Sequence, residues 1–241
     1  MSAVAAEQFT GFRPEAVQFL ADLGANNDRS WFQPRKGEYE RLLKEPLEAL
    51  CAALAERFTA RGVPLRSDPA RSPFRIYRDV RFSRDKSPYK TNIGASFPWI
   101  ERAQGSGSES GAEDRTGVGG YFHFAPGEVY VGGGMWHPEP ARLAAFRRAV
   151  GDDPSGIRAV FADRTFREWF DEVEGDRLKR VPSGFPPDHP EADLLRLKDV
   201  VFGRRLSDAE CFSPALPDLL ADAFEAATPA LRFLARLKPA D

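Results

Sequence analysis

Between Phe74 and Asn92 the chain reads FRIYRDVRFSRDKSPYKTN. Arg75, Arg78, Arg81, Arg84, Lys86 and Lys90 stand there against only Asp79 and Asp85, on a chain whose formal net charge is −2. A cationic island on a mildly acidic protein is a directed electrostatic feature, suited to drawing a negative group to one place. Guanidinium forks match the geometry of phosphate and carboxylate. The interleaved Tyr77 and Tyr89 can stack on a ring or donate to an oxyanion.

Period-two reading puts Phe74, Ile76, Val80 and Phe82 on one face and Arg75, Tyr77, Asp79 and Arg81 on the other, which predicts a half-buried strand. Arg78 falls on the apolar side. An unpaired buried charge is too costly, so Arg78 must either snorkel out to solvent or meet a carboxylate, and it is assigned to architecture. From Ser83 the alternation stops and Asp, Ser and Pro give turn chemistry, placing Arg84, Lys86, Tyr89 and Lys90 on a loop.

A second stretch, Tyr121 to Gly134, reads as a hairpin, with Pro126-Gly127 suited to the centre of a type II turn. In that register Phe122, Phe124, Val129 and Val131 face a core, and Tyr121, His123 and Tyr130 face the other way. His123 beside an acid such as Asp79 is the pair able to exchange a proton near neutral pH. These two are the catalytic candidates, and the residues assign no reaction to them. The anion-binding candidates are Arg75, Tyr77, Arg81, Arg84, Lys86, Tyr89, Lys90, Tyr121 and Tyr130.

Other chemistries find little support. His123, His137 and His189 lack metal-ligand spacing, so no metal is expected, and no cofactor motif is present. No G-x-S-x-G elbow occurs. Cys51 falls on the apolar stripe of a helix and reads as a small hydrophobe, and Cys211 has no neighbouring base. Gly132-Gly133-Gly134 has the composition of a phosphate cradle without its spacing, and close packing is the preferred reading.

The string RIYRDVRFSRDKSPYKTN resembles the signature of the domain-of-unknown-function family 2461. The resemblance continues in NNDRSWF (26–32), YFHFAPGEVYVGGGMWHPEP (121–140) and RVPSGFPPDHPEADLL (180–195), and so covers nearly the whole chain. It implies a shared fold and extent and carries no activity.

The elements that must position these residues follow from the flanking text. Pro14 to Gly24 carries a helical stripe of Ala16, Phe19, Leu20 and Leu23. Asn26-Asn27-Asp28 offers caps for a helix from Arg29, with Trp31 and Phe32 as core anchors. Gly37 to Ala60 is helical, kinked or restarted at Pro46. Ile93 to Ile100 reads as a strand whose Pro98 implies an edge or an end. Residues 103–117, rich in Gly, Ser and acid, read as a flexible insertion loop. Helices are expected over 139–150 and 154–162, with Phe166, Trp169 and Phe170 as an apolar patch. A short strand follows at 178–181, then a helix to Arg196 with Asp188 and Glu191 as a capping pair. A last helix spans 214–237, kinked or restarted at Pro229.

The whole implies one α+β domain over 1–241, with an ordered core at about 10–238 and a central antiparallel or mixed sheet covered by helices from both ends. At 241 residues, 42% hydrophobic and 29% charged, the chain can bury a substantial core. A sequence pI near 6.0 speaks against a nucleic-acid coat protein. No apolar run reaches membrane-span length and the start lacks signal-peptide features, so a cytoplasmic protein is expected. Three readings stay open, in this order: a site for a small phosphate- or carboxylate-bearing ligand, nucleotides included; a structural or protein-interaction domain whose Arg and Asp residues form an internal ion-pair network; and a nucleic-acid surface. Oligomeric state is not legible.

Overall fold

The structure, a computed structural model, describes residues 8–81, 83–100, 117–170 and 173–238. Strands β1 (Ile93–Pro98), β2 (Val118–Ala125), β3 (Glu128–Met135) and β4 (Val200–Leu206) form one antiparallel sheet in the order β1-β2-β3-β4. Helices precede and follow it in the chain, giving the expected α+β class. β1 is an edge strand and Pro98 is its last residue, as a residue without an N–H requires.

The chain divides into two compact units, each assembled from separate segments. The first lies within Met1–Phe97, Tyr121–Val131 and Arg205–Asp222. Its helix α1 (Pro14–Ala25) buries Ala16, Phe19, Leu20 and Leu23, the stripe read from sequence. Asp28 caps the short α2 (Arg29–Phe32) by accepting the Trp31 N–H. Phe32 is buried, while Trp31 is half-buried beneath the Arg35 guanidinium. A 3₁₀ turn at Gln33–Arg35 leads to α3 (Lys36–Tyr39), a π segment at Glu40–Lys44, and α4 (Glu45–Arg61). Pro46 thus sits in the first turn of α4, where its missing N–H costs nothing, and the wider π turn before it absorbs the change of register. Gly62, with φ +66°, closes α4. Cys51 packs at the centre of the α4 stripe, its thiol pushed up to about 12 by burial.

In the hairpin, Gly127 has φ +70°, the left-handed conformation that the third residue of a type II turn demands. Phe122, Phe124, Val129 and Val131 are all buried. Phe12 stacks on Phe122 and Phe124 at 6.0 and 4.6 Å.

The second unit lies within Pro98–Gly120, Gly132–Arg204 and Ala223–Asp241. It holds α5 (Pro140–Asp152), α6 (Ser155–Ala162), α7 (Arg164–Trp169) and α8 (Ala192–Leu195). Phe166 and Phe170 each meet Phe202 of β4 at 5.0 Å, the apolar patch expected from sequence finding its partner. Gly134 has φ +128°, and a Cβ there would lie 2.1 Å from the Val200 carbonyl oxygen. The glycine run is therefore a packing device and not a phosphate cradle. Asp199, 2% exposed, accepts the backbone N–H of His137 at 2.6 Å and holds the turn in which His137 takes φ +46°.

Several expectations are corrected. β4 was not read from the sequence, although Val200-Val201-Phe202 followed by Gly203 is a short apolar run of the right kind. No strand forms at 178–181; the chain instead bridges at Glu174↔Val201 and Arg177↔Leu197. Asp188 and Glu191 do not cap: α8 lacks a side-chain cap, and the Glu191 N–H goes to His189 Nδ1 at 3.0 Å. The capping box belongs to Ser207 and Glu210, at the head of α9 (Asp208–Phe212). Helix α10 (Leu216–Arg236) carries Pro229 internally without a restart.

The largest correction concerns 74–82. No strand forms there, and Phe82 lies outside the described residues. The segment is joined to the edge of β1 by the bridge Pro73↔Ala95 and then folds back on itself through Tyr77↔Tyr89. Two bonds flank the Pro73 bridge, from Ser96 N–H to Ser72 O at 3.0 Å and from Phe74 N–H to Gly94 O at 2.9 Å. Beyond them the backbone of Ile76 and Arg78 bonds the returning limb, at Lys90 and Pro88, and the chain leaves the sheet as an arm. Ile76 is buried, whereas Phe74 is 42% exposed and not in the core. The expected loop at 103–117 lies outside the described residues but for Gly117.

Candidate functional site

Tyr89 anchors the arm. It is 1% exposed, stacked on Phe32 at 4.1 Å, with its hydroxyl 3.5 Å from Gln33. Asn27 clasps its backbone from both sides, donating to the Tyr89 carbonyl and accepting the Tyr89 N–H, each at 3.0 Å. Lys90 N then donates to Ile76 O at 2.8 Å and Arg78 N to Pro88 O at 2.9 Å, closing the two limbs of the arm. Tyr89 is thereby a core residue and is not among those lining the hollow described next.

From this anchor a hollow of about 450 Å³ opens. Phe74, Arg78 and Asp79 line it from the outgoing limb, and Lys90 and Asn92 from the returning one. Tyr121 and His123 line it from β2, on the strand face opposite Phe122 and Phe124. Gly94 makes this possible. A Cβ there would sit 3.2 Å from the Tyr121 hydroxyl and 2.7 Å from Phe122 O, so only glycine lets the Tyr121 ring lie across β1.

The ion pairs come next. Arg81 donates through Nε and Nη2 to Asp79 at 3.0 and 2.7 Å, and this guanidinium holds the Asp79 carboxyl below its ordinary value. Arg78 pairs with Asp85. Asp85 is held well below the usual carboxylate range by Arg78 first and then by Ser87, whose hydroxyl and N–H both donate to it. Lys86 Nζ donates to Val80 O at 2.9 Å.

Lys90 differs from these cations. It is half-buried, its ammonium lies 5.1 Å from the centroid of the Phe74 ring, and it forms no salt bridge among the described residues. Burial, and then the positive Arg75 nearby, push it below the ordinary lysine value.

On the opposite wall the Tyr121 hydroxyl is 2.9 Å from His123 Nδ1, and Asn92 Nδ2 is 3.4 Å from the same nitrogen. Both neighbours thus engage the same ring nitrogen, and the tautomer sets which of them donates to it. Burial lowers the His123 pKa from 6.5, against a smaller opposing pull from Glu128, and raises that of Tyr121.

The structure therefore gathers Arg78, Asp79, Lys90, Tyr121 and His123 from the residues singled out in sequence. Arg75 is exposed alongside, near enough to act on Lys90 and Asp79 electrostatically. Tyr77, 45% exposed, leans on Tyr89 at 5.4 Å. Arg81, Arg84, Lys86 and Tyr130 are not among the lining residues. His123 and Asp79 share the hollow but form no dyad: the imidazole is engaged by Tyr121 and Asn92, the carboxylate by Arg81.

A family model described as "Conserved hypothetical protein (DUF2461)" matches residues 15–233, a span that contains the whole arm and every residue of the hollow. The chain belongs to this family. No curated protein and no solved structure matches it. DUF2461 membership spans nearly the whole chain, and the chemistry must come from the hollow itself. Among the described residues no group of three His, Cys, Asp or Glu is placed to hold a metal. Among them, too, no helix is long and apolar enough to cross a membrane.

Sequence reasoning missed Phe74, Asn92 and Asn27. Phe74 was hidden by an alternation that put it in the core, with no strand to carry it there. Asn92 ends the basic motif, and Asn27 was read as a helix cap, whereas its amide has both a donor and an acceptor to match a peptide unit.

Proposed function

We propose that the hollow binds a small anion bearing phosphate or carboxylate, with nucleotides among the ligands of suitable size. Lys90 is the observation that carries this reading. A half-buried ammonium with no carboxylate within salt-bridge distance among the described residues gains most from an incoming anion, because it is desolvated already. Arg78 and the hydrogen-bonded Tyr121–His123 pair add polar groups around the same space. Phe74 and Tyr121, 6.1 Å apart, supply an aromatic surface beside it.

The Arg78–Asp85 and Arg81–Asp79 pairs favour a second reading, in which the motif stabilises the arm and the surface serves a protein contact. Thermal-shift titrations with phosphate, nucleotides, sugar phosphates and dicarboxylates separate the two. On the anion reading a ligand raises Tm, Lys90→Ala abolishes the shift, and Asp85→Asn strengthens binding several-fold by releasing Arg78 into the hollow. Loss of stability in both variants with no ligand response at all would leave only the structural reading. The acidic sequence pI of about 6.0 ranks nucleic acid behind both. A cytoplasmic location is supported by two cysteines that are both buried and free.

A further inference from the structure

Lys90 and Lys86 leave the same loop and meet opposite surroundings. Lys86 is exposed, and its ammonium donates to the Val80 carbonyl oxygen. Lys90 is half-buried over an aromatic face, has no salt bridge among the described residues and has a second cation beside it. Desolvation and a neighbouring positive charge are the two physical means by which an amine becomes a nucleophile at neutral pH.

We propose that Lys90 is a carbonyl-reactive amine and that the ligand of this hollow is an anionic aldehyde or ketone, captured as an imine on Nζ. This rests on the anion-binding reading and narrows it. Arg75 and Arg78 are the cations that would take the anionic end. Arg78, Asp79, Tyr121 and His123 are the charged or titratable side chains facing Lys90 across the hollow. Asp79 is engaged by Arg81, and burial disfavours the His123 imidazolium, so the charge-stabilising contact left to the Lys90 ammonium among the residues of the hollow is the face of the Phe74 ring.

In the step itself, the ammonium first loses a proton to solvent. The Nζ lone pair attacks the carbonyl carbon and the C–O π pair moves to oxygen. The two protons remaining on nitrogen are transferred to that oxygen, which leaves as water while the nitrogen lone pair forms the C=N bond. Ketone or aldehyde plus amine gives imine plus water, with no change of oxidation state. The Tyr121 hydroxyl and the His123 imidazole, coupled at 2.9 Å on the facing wall, are placed to carry those protons.

The test is reductive trapping on the intact chain with glyoxylate and sodium cyanoborohydride at pH 7, followed by peptide mapping. Neutral acetaldehyde serves as the comparison probe. Lys90 is expected to be modified at least about tenfold faster than Lys86 with glyoxylate. The preference should shrink with acetaldehyde, and inorganic phosphate should suppress labelling of Lys90 alone. Arg75→Gln, an exposed substitution that leaves the core untouched, should slow Lys90 and spare Lys86. Labelling of Lys90 no faster than Lys86, or none, overturns the inference. If phosphate still stabilises the protein in a Lys90-dependent way, the anion site survives and only the carbonyl chemistry falls; if it does not, both fall.

Discussion

Asn27→Ala tests how the site is built. The Asn27 amide makes two hydrogen bonds to one peptide segment, at 3.0 Å each, and both end on Tyr89, the residue before Lys90. Each bond contributes about 0.5–1.5 kcal/mol net, so removal of the pair is expected to cost about 2 kcal/mol. For a protein of this size that lowers Tm by about 4–8 °C. Asn27→Asp keeps the acceptor for the Tyr89 N–H and loses the donor to its carbonyl, so about half the loss is expected. Urea unfolding of the three proteins measures the series. Because Lys90 N bonds Ile76 O, release of Tyr89 should also loosen both limbs of the arm, seen as faster hydrogen exchange at Arg78 and Lys90 and weaker phosphate binding. A change below about 0.5 kcal/mol in Asn27→Ala, with exchange unaltered, would refute the claim that this amide anchors the arm.

Two further predictions follow from the same geometry. Gly134→Ala puts a Cβ 2.1 Å from the Val200 carbonyl oxygen at φ +128°, so a loss of about 3 kcal/mol or more is expected, read as a fall in Tm or in soluble yield. His123 has a folded pKa below its ordinary 6.5 because burial disfavours the imidazolium; its contribution to stability is complete above 6.5 and disappears as pH falls through the lower folded value. The stability difference between the native protein and His123→Gln should therefore change between neutral pH and about pH 5, with the His123 ring titrating below 6.5 by NMR.

Local patterns determined much of this protein. The α1 stripe, the Asp28 cap, the Gly62 stop, the Pro126-Gly127 turn and the buried set Phe122, Phe124, Val129 and Val131 follow from spacing alone, since each is decided within a few residues. Arg78 did meet a carboxylate, one of the two outcomes open to it, but in a solvent-exposed pair with Asp85 on the arm and not on the apolar face of a strand. What only the tertiary structure decided is the path of the arm. Alternation says which side chains share a face and not whether a neighbouring strand exists to receive them; beyond the Pro73 bridge the backbone of Ile76 and Arg78 bonds Lys90 and Pro88 of the returning limb and not β1. Phe74 consequently moved from core to site, Tyr89 from site to core, and the polar residues met at a hollow beside an edge strand. Burial depends on partners distant in sequence, and those appear only once Asn27, Phe32 and Gly94 are in place around the arm.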